Sequence, residues 1–386
     1  MRWLKPFCLM IVVLSVAVAK NAPEPQISIV ITKPVDAAMT DDPQSRWGVA
    51  LIDRFVRFRL EPLEGIKVLS EEEMVKWIPS MERIEGVISD AQYESVAGKV
   101  GATHFLNQKF EYSQREKTLF YYVEVVRRSD RQVVASSDKS IPAEKIYSEI
   151  DSSLVSILNR LKVERSEQVN RFFQIPVVGK NFKLIKQLGD VLVKERSESS
   201  PEDAVLGKEY EKIIQKDPLM LLANYSCGRA FFRAGQYDKS AKYLKELLDL
   251  IPMHSDLFLM LTKSYRLSGR YGDALNVVAG YERNHKLDVE FLVERALAYE
   301  GAGHDSYAFK VHTQILALNP KQSQSLHFMA RQKNKESRFR EAFEYANKMV
   351  VSDPGNGYGY FERGKSFLGG KQEQKALADL EKAAKM

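Results

Sequence analysis

The sequence predicts an α/β domain, a mixed sheet packed by helices, followed by an all-α repeat solenoid. Three observations carry that expectation. The 386 residues exceed what one compact core usually holds. The first half alternates β-branched runs with amphipathic stretches, and the second half repeats with a fixed period of 34 residues. Hydrophobic residues make up 44% and charged residues 28%, which excludes disorder, collagen and a multispanning membrane protein. With 57 Lys+Arg against 51 Asp+Glu the formal charge is +6, a poor match to nucleic-acid binders with clustered basic stripes. The two cysteines, Cys8 and Cys227, are too few for a disulfide scaffold, a structural zinc site or an iron–sulfur cluster.

Residues 1–19 read as a secretory signal peptide. Arg2 and Lys5 give a positive start, Phe7 to Val16 an apolar run, and Ala17-Val18-Ala19 a small-x-small cleavage pattern before Lys20-Asn21. The run is shorter than the about 20 residues a membrane span needs. The expectation is an exported protein, periplasmic or envelope-associated in a bacterial cell, with an uncleaved N-terminal anchor as the alternative. Cleavage after Ala19 leaves Cys227 as the remaining thiol.

After the Pro-rich stretch 22–26, Ile27, Ile29 and Ile31 alternate with polar residues up to Pro34, a strand pattern. Asp41-Asp42-Pro43 opens a helix in which Trp47, Leu51, Phe55 and Phe58 recur at three- and four-residue steps. Gly65 breaks it before a strand at Ile66 to Leu69. Ser70 with Glu73 forms a capping-box signature for a second helix through Met74 and Trp77. A third helix runs from Asp90 through Tyr93, Val96 and Ala97 to Gly101. Strands are expected at 103–112, 118–126 and 132–136, and Pro142 near the start of a last helix carrying Ile146, Ile150, Leu154, Ile157 and Leu161. The Ile27–Pro34 strand, Gly65-Ile66-Lys67-Val68-Leu69 and Gly101-Ala102-Thr103-His104-Phe105 together resemble the N-terminal domain of TolB and TolB-like proteins, over about residues 27–163. The family usually has a glycine in the last hairpin turn, where this chain has Ser129-Asp130-Arg131. The family's relatives include envelope components and partner-binding modules, and the resemblance implies no enzymatic activity.

Residues 164–180 form a mixed linker, polar at Arg165 to Asn170 and apolar at Phe172-Phe173 and Ile175-Pro176-Val177-Val178, which suggests a packed junction. Beyond it, four ladders share one register. Ser240, Ala274, Ala308, Ala342 and Ala376 form one, and Gly228, Thr262, Ala296, Ala330 and Gly364 a second. Phe231, Tyr265, Tyr299, Lys333 and Phe367 form a third, and Pro218, Pro252, Pro320 and Pro354 a fourth. Each period reads as two antiparallel helices that approach closely at the small residues and stop before the proline. Cys227-Gly228-Arg229-Ala230-Phe231 with Ser240 and Pro252 resembles the tetratricopeptide repeat (TPR). The array spans 181–386: one degenerate repeat, then repeats at 221–254, 255–288, 289–322, 323–356 and 357–386. Lys333 in place of the aromatic and Ser337 in place of the turn glycine suggest looser packing in the fourth full repeat.

Little in the sequence points to catalysis. The six histidines lack zinc-protease spacing, no Walker loop, dinucleotide fingerprint or nucleophile elbow is present, and no cofactor or metal is implied. Cys227 sits at a core-facing repeat position. The concave groove is the candidate site. The position after each small residue is Arg229, Lys263, Leu297, Arg331 and Lys365; Arg233, Arg266 and Lys335 add charge, and Tyr225, Phe232, Leu259, Tyr358 and Phe361 add apolar or aromatic surface. Regularly spaced cations suit an extended peptide with acidic groups or a free C-terminus, while a solvated cationic helix face is the bland alternative. The asparagines of carboxylate-clamp TPRs are missing, Asn334 alone being insufficient. The expected function is a non-enzymatic exported scaffold or adaptor that holds a protein or peptide in the groove. The alternative is a regulator or assembly factor of an envelope enzyme or secretion complex acting through the α/β domain.

Overall fold

The computed structural model describes residues 27–32, 34–36, 46–63, 66–69, 77, 89–113, 115–142, 145–197, 201–252 and 254–386. The expected signal at 1–19, the helix opening at Asp41 and the capping box at Ser70 lie outside these residues.

The N-terminal part contains β1 (Ile27–Ile31), β2 (Val35–Asp36), α1 (Arg46–Leu60), β3 (Ile66–Val68), α2 (Asp90–Val100), β4 (His104–Ser113), β5 (Thr118–Arg127), β6 (Val133–Pro142) and α3 (Ile146–Arg160). The strands form one mixed sheet in the order β3-β1-β4-β5-β6, with β2 also on β4. β1 runs parallel to both neighbours, pairing Ile27 with Ile66 and Ile29 with His104, and is buried from Ser28 to Ile31, as a β-branched central strand should be. β4, β5 and β6 are antiparallel. Leu119, Tyr121, Val123 and Val125 face the main core with α1 and α3, while Tyr93, Val96 and Ala97 of α2 cover Val30 and Phe105 on the opposite face. Ser89 and Gln92 form the capping box of α2, and Gly101 ends it at φ +68°, where a side chain would be strained.

Two local expectations change. β6 does not end at Ser136: it pairs with β5 all the way to Pro142, and α3 begins at Ile146. Pro142 therefore closes a strand at the sheet edge, where its missing N–H costs no ladder bond. At the last hairpin Arg131 takes the left-handed backbone (φ +60°) that a glycine would supply, and Asp130 accepts from the Gln132 N–H at 3.2 Å.

The linker is structured as α4 (Glu167–Gln174), capped by the Ser166 hydroxyl, with Phe172, Val177 and Val178 buried. Then come the helix pairs α5 (Phe182–Glu195)/α6 (Asp203–Ile214), α7 (Leu221–Arg233)/α8 (Tyr237–Leu250) and α9 (Ser255–Leu267)/α10 (Tyr271–Glu282). They continue as α11 (Val289–Gly301)/α12 (Asp305–Leu318), α13 (Ser323–Lys335)/α14 (Phe339–Ser352) and α15 (Gly357–Gly369)/α16 (Glu373–Ala384). Both small-residue ladders are buried where the helices of a pair meet: a Cβ on Gly228 would lie 2.7 Å from the Leu244 side chain and one on Gly364 2.9 Å from Leu380. Between the helices of a pair the chain takes a left-handed residue, Gly235, Gly269 and Gly303 first, then Ser337 and Lys371. Lys333 does not leave a gap. Its stem is buried, and its ammonium reaches Glu336 at 2.8 Å and the Phe309 ring at 5.2 Å.

Candidate functional site: a concave face shared with the chain's own first helix

First helices of neighbouring repeats touch one another, α9 with α11 and α13 with α15, so they line the inner face of the curved stack. The predicted groove residues lie on them, but the expected row of free cations is a row of ion pairs. Arg233 meets Glu195 at 3.0 Å and Asp203 at 2.7 Å; Lys263 meets Glu290 at 2.8 Å; Arg266 meets Glu294 at 2.6 Å. Arg331 meets Glu300 at 2.6 Å, Lys365 meets Glu362 at 3.3 Å, and Lys335 approaches Asp305 only at 4.0 Å. Most pairs cross from one repeat to the next, so they brace the stack and cancel charge. Arg229 lies 5.6 Å over the Tyr225 ring, within the field of Glu195. Phe232 packs edge-on against Tyr237. Tyr358 and Phe361 stand in solvent, 67% and 44% exposed.

Tyr225 is the clearest correction, because it is buried rather than open to a partner. Its ring packs 5.2 Å from Phe58 of α1, and His254, just before α9, lies 5.1 Å from the same phenylalanine. The first repeats thus already hold α1. That helix is buried on every side because it is sandwiched: Phe110 of β4 would touch a Cβ on Gly48, and α5 crosses it where a Cβ on Gly189 would come within 2.6 Å of the Trp47 carbonyl oxygen. Trp47 bridges the two halves, edge-on to Tyr112 of β4 and to Phe182 of α5.

Three arginines of α1 are buried in that sandwich, a feature the sequence pattern did not reveal. Buried guanidiniums persist only where acceptors surround them. Arg57 donates to Asp53 at 3.1 Å and to the carbonyls of Leu69 (3.0 Å) and Ile31 (2.9 Å), tying α1 to the sheet. Arg59 takes Asp151 with two nitrogens (2.8 and 2.6 Å) and the carbonyls of Phe172 and Ile175, tying α1 to α3 and α4. Arg54 reaches Glu195 of α5 at 3.4 Å, and the same carboxylate receives the Tyr210 hydroxyl at 2.5 Å. Asp53 completes the junction by accepting from Arg196 at 2.8 Å. The segment after α4 adds a backbone bond, Leu222 N–H to Val177 O at 2.9 Å.

The junction has a built-in acid sensitivity. Burial holds the His254 imidazole at about 3, against 6.5 in an unfolded chain. Folded His254 is neutral, so its contribution is complete above pH 6.5 and is lost as pH falls from there toward 3. Burial alone would raise Glu195, but Arg54, Arg233 and Arg229 hold it at about 2, so its contribution is lost below about pH 4.5. Asp151 acts oppositely: burial outweighs Arg59 and lifts it to about 6, so its protonation favours the folded chain between 6 and 3.8. Between pH 6.5 and 5 stability should fall by at most about 1.4 kcal/mol per pH unit through His254, partly offset by Asp151. His254→Phe keeps the ring contacts and removes the proton. Urea midpoints at about pH 7.5 and about pH 5 should therefore differ less in the variant than in the parent; an equal difference assigns the effect to other groups.

One chain of polar groups has the connectivity of a nucleophile, base and acid. The Ser325 hydroxyl is bonded to His312 Nδ1 at 2.9 Å, and His312 Nε2 to Glu300 at 3.0 Å. Ser325 and His312 are fully buried, so no substrate carbonyl reaches the hydroxyl, and the bonds tie α11, α12 and α13 together. Cys227 is likewise buried, and burial raises its thiol far above the usual range.

Fold and surface define a helical-repeat protein whose concave face is filled at one end by its own α/β domain and open at the other. The repeats resemble the tetratricopeptide repeat in their paired helices and 34-residue period. No family model matches the chain. A stretch of 143 residues, 37% of the chain, is 26% identical to the TPR repeat-containing protein YpiA of Bacillus subtilis (strain 168), and the match spans 33% of that relative's length. Among solved structures the chain is similar to YrrB, described as a TPR protein with an unusual peptide-binding site (14% identity, 46% of this chain and 91% of that one, TM-score 0.37). It is also similar to a tetratricopeptide repeat protein from Parabacteroides merdae (15% identity, 63% and 93%, TM-score 0.42). No helix among the described residues is long and apolar enough to cross a membrane.

Proposed function

We propose that the protein is a non-enzymatic, exported adaptor that holds a protein partner on the open end of its concave face. The observation that carries this reading is the division of that face. α1 covers Tyr225 at one end, whereas at the other α13 and α15 present Lys335, Tyr358 and Phe361 toward solvent, beside the half-buried, ion-paired Arg331 and Lys365. The resemblance of the sheet domain's strand motifs to TolB-like proteins and the signal-like pattern at 1–19 support a place in the cell envelope. The buried junction makes the sheet domain a rigid base for the array, a second arm by which the adaptor can dock elsewhere.

Crosslinking in the native envelope tests the reading. Arg331→Glu with Lys365→Glu is expected to remove the crosslinked partner by at least about tenfold while helical circular dichroism is kept. Undiminished crosslinking through the double variant would place the partner on another surface.

A further inference from the structure

We infer that the open end of the concave face, α13 and α15, docks an amphipathic helix of a partner protein, one that presents an aromatic side chain with an acidic residue about one turn away. The inference rests on the adaptor reading and specifies what the adaptor holds.

The first support is continuity with the interface the chain makes with itself. The occupant of the first repeats is a helix, and it offers them two things: Phe58 to the Tyr225 ring at 5.2 Å, and the Asp53 carboxylate to Arg196 at 2.8 Å. One repeat period carries the Tyr225 position through Leu259 and Val293 to His327 and Phe361, so rings return to that position in the last two repeats. There, among the described residues, α1 reaches neither.

The second support is the composition of α15. Tyr358, Phe361 and Leu368 recur at three- and seven-residue steps on one side of the helix, and Leu368 is 55% exposed. At the Tyr358 position α7 carries Leu222 and the next three first helices Asp256, Glu290 and Gln324; at the Leu368 position α7 carries Phe232 and the next three Arg266, Glu300 and Asn334. Three of the four other full repeats thus do without an apolar group at either place. A contiguous apolar stripe set beside cations is the mark of a contact surface.

The third support is how charge is layered. Glu362 is buried beneath the stripe, where its carboxylate accepts from Asn334 Nδ2 at 2.8 Å and from Lys365 at 3.3 Å, while Lys335 stands 58% exposed and only 4.0 Å from Asp305. An exposed ammonium set beside the stripe complements an acidic rather than a basic helix.

The test uses the full chain and a labelled, alanine-based helical peptide of about 15 residues carrying a phenylalanine and, four positions before it, a glutamate, so that both lie on one face of the helix. Saturable binding is expected by fluorescence anisotropy. It should weaken about tenfold when the peptide's phenylalanine becomes serine, or when the protein carries Tyr358→Ser with Phe361→Ser. Val351→Ser, on the outer helix α14, should leave it unchanged. No saturable binding below about 1 mM, or equal binding by the double serine variant, overturns the inference. A doubling of mass in light scattering that the double variant abolishes would assign the face to a second copy and also overturn it. Envelope crosslinking that survives Tyr358→Ser with Phe361→Ser but not the Arg331/Lys365 reversal would overturn the helix dock and leave the adaptor reading standing.

Discussion

Replacing Asp53 by alanine should destabilise the folded protein by about 3–5 kcal/mol, the range for removing one partner from a buried charge network. Asp53 receives Arg57 with one oxygen and Arg196 with the other, and all three groups are almost wholly buried. Its loss takes a carboxylate from two buried guanidiniums, although Arg57 keeps the carbonyls of Leu69 and Ile31. Asp53 joins α1 to Arg196 at the end of α5, so the damage should concentrate where α1 meets α5. Urea unfolding by circular dichroism measures the total, and amide exchange should show α1, α5 and α7 losing protection before α13 to α16. Changing Asp53, Arg57 and Arg196 together to apolar residues of similar volume should cost much less than the single change, since the large penalty comes from leaving charge unpaired. A single substitution costing under about 1 kcal/mol would show that water reaches the cluster.

Gly189→Val should have the second large effect, about 1–3 kcal/mol of overpacking or more, with a different signature. A Cβ there would stand 2.6 Å from the Trp47 carbonyl oxygen and 3.0 Å from the Trp47 Cβ, and backbone cannot step aside as a flexible side-chain end can. Relief requires α5 to move away from α1, opening the Trp47–Phe182 contact. Limited proteolysis should then cut within 161–181 in the variant and not in the parent. Indole fluorescence should shift to the red as Trp47 meets water. Unchanged cleavage and emission would mean that the helices can separate locally without loosening the junction.

Much of the fold is legible in the chain because it depends on local pattern. The β-branched alternation of Ile27 to Ile31 and of Leu119 to Val125 marks strands whichever partners they find. The 34-residue ladders mark helix pairs because a small residue at Gly228 or Ala274 has meaning only where two helices touch. The site was legible in part. The sequence places Arg331, Lys365, Tyr358 and Phe361 on one face of the array, but it carries no information on the carboxylates that meet them, since Glu300 lies in the preceding repeat and Glu294 in the repeat after Arg266. Tyr225 was misplaced for the same reason: its ring is covered by Phe58, which lies far away in sequence. The run Arg54-Phe55-Val56-Arg57-Phe58-Arg59 did hold a signal, three cations threaded through an apolar stretch. A helix that reads apolar on one face and cationic on the others normally meets water there. Only acceptors as remote as Asp151, Phe172 and Glu195 make its burial affordable.

By itself the sequence determined a mixed sheet, a repeat array and the absence of any recognisable catalytic motif, because periodicity, capping and turn chemistry act between residues a few positions apart. Tertiary structure alone decided that the two halves share α1, that the groove's cations are paired, and that one end of the concave face is filled while the other is open. Those outcomes depend on which charges and rings meet across more than a hundred residues of chain. The free energy of a buried charge is set by such neighbours rather than by its own residue type.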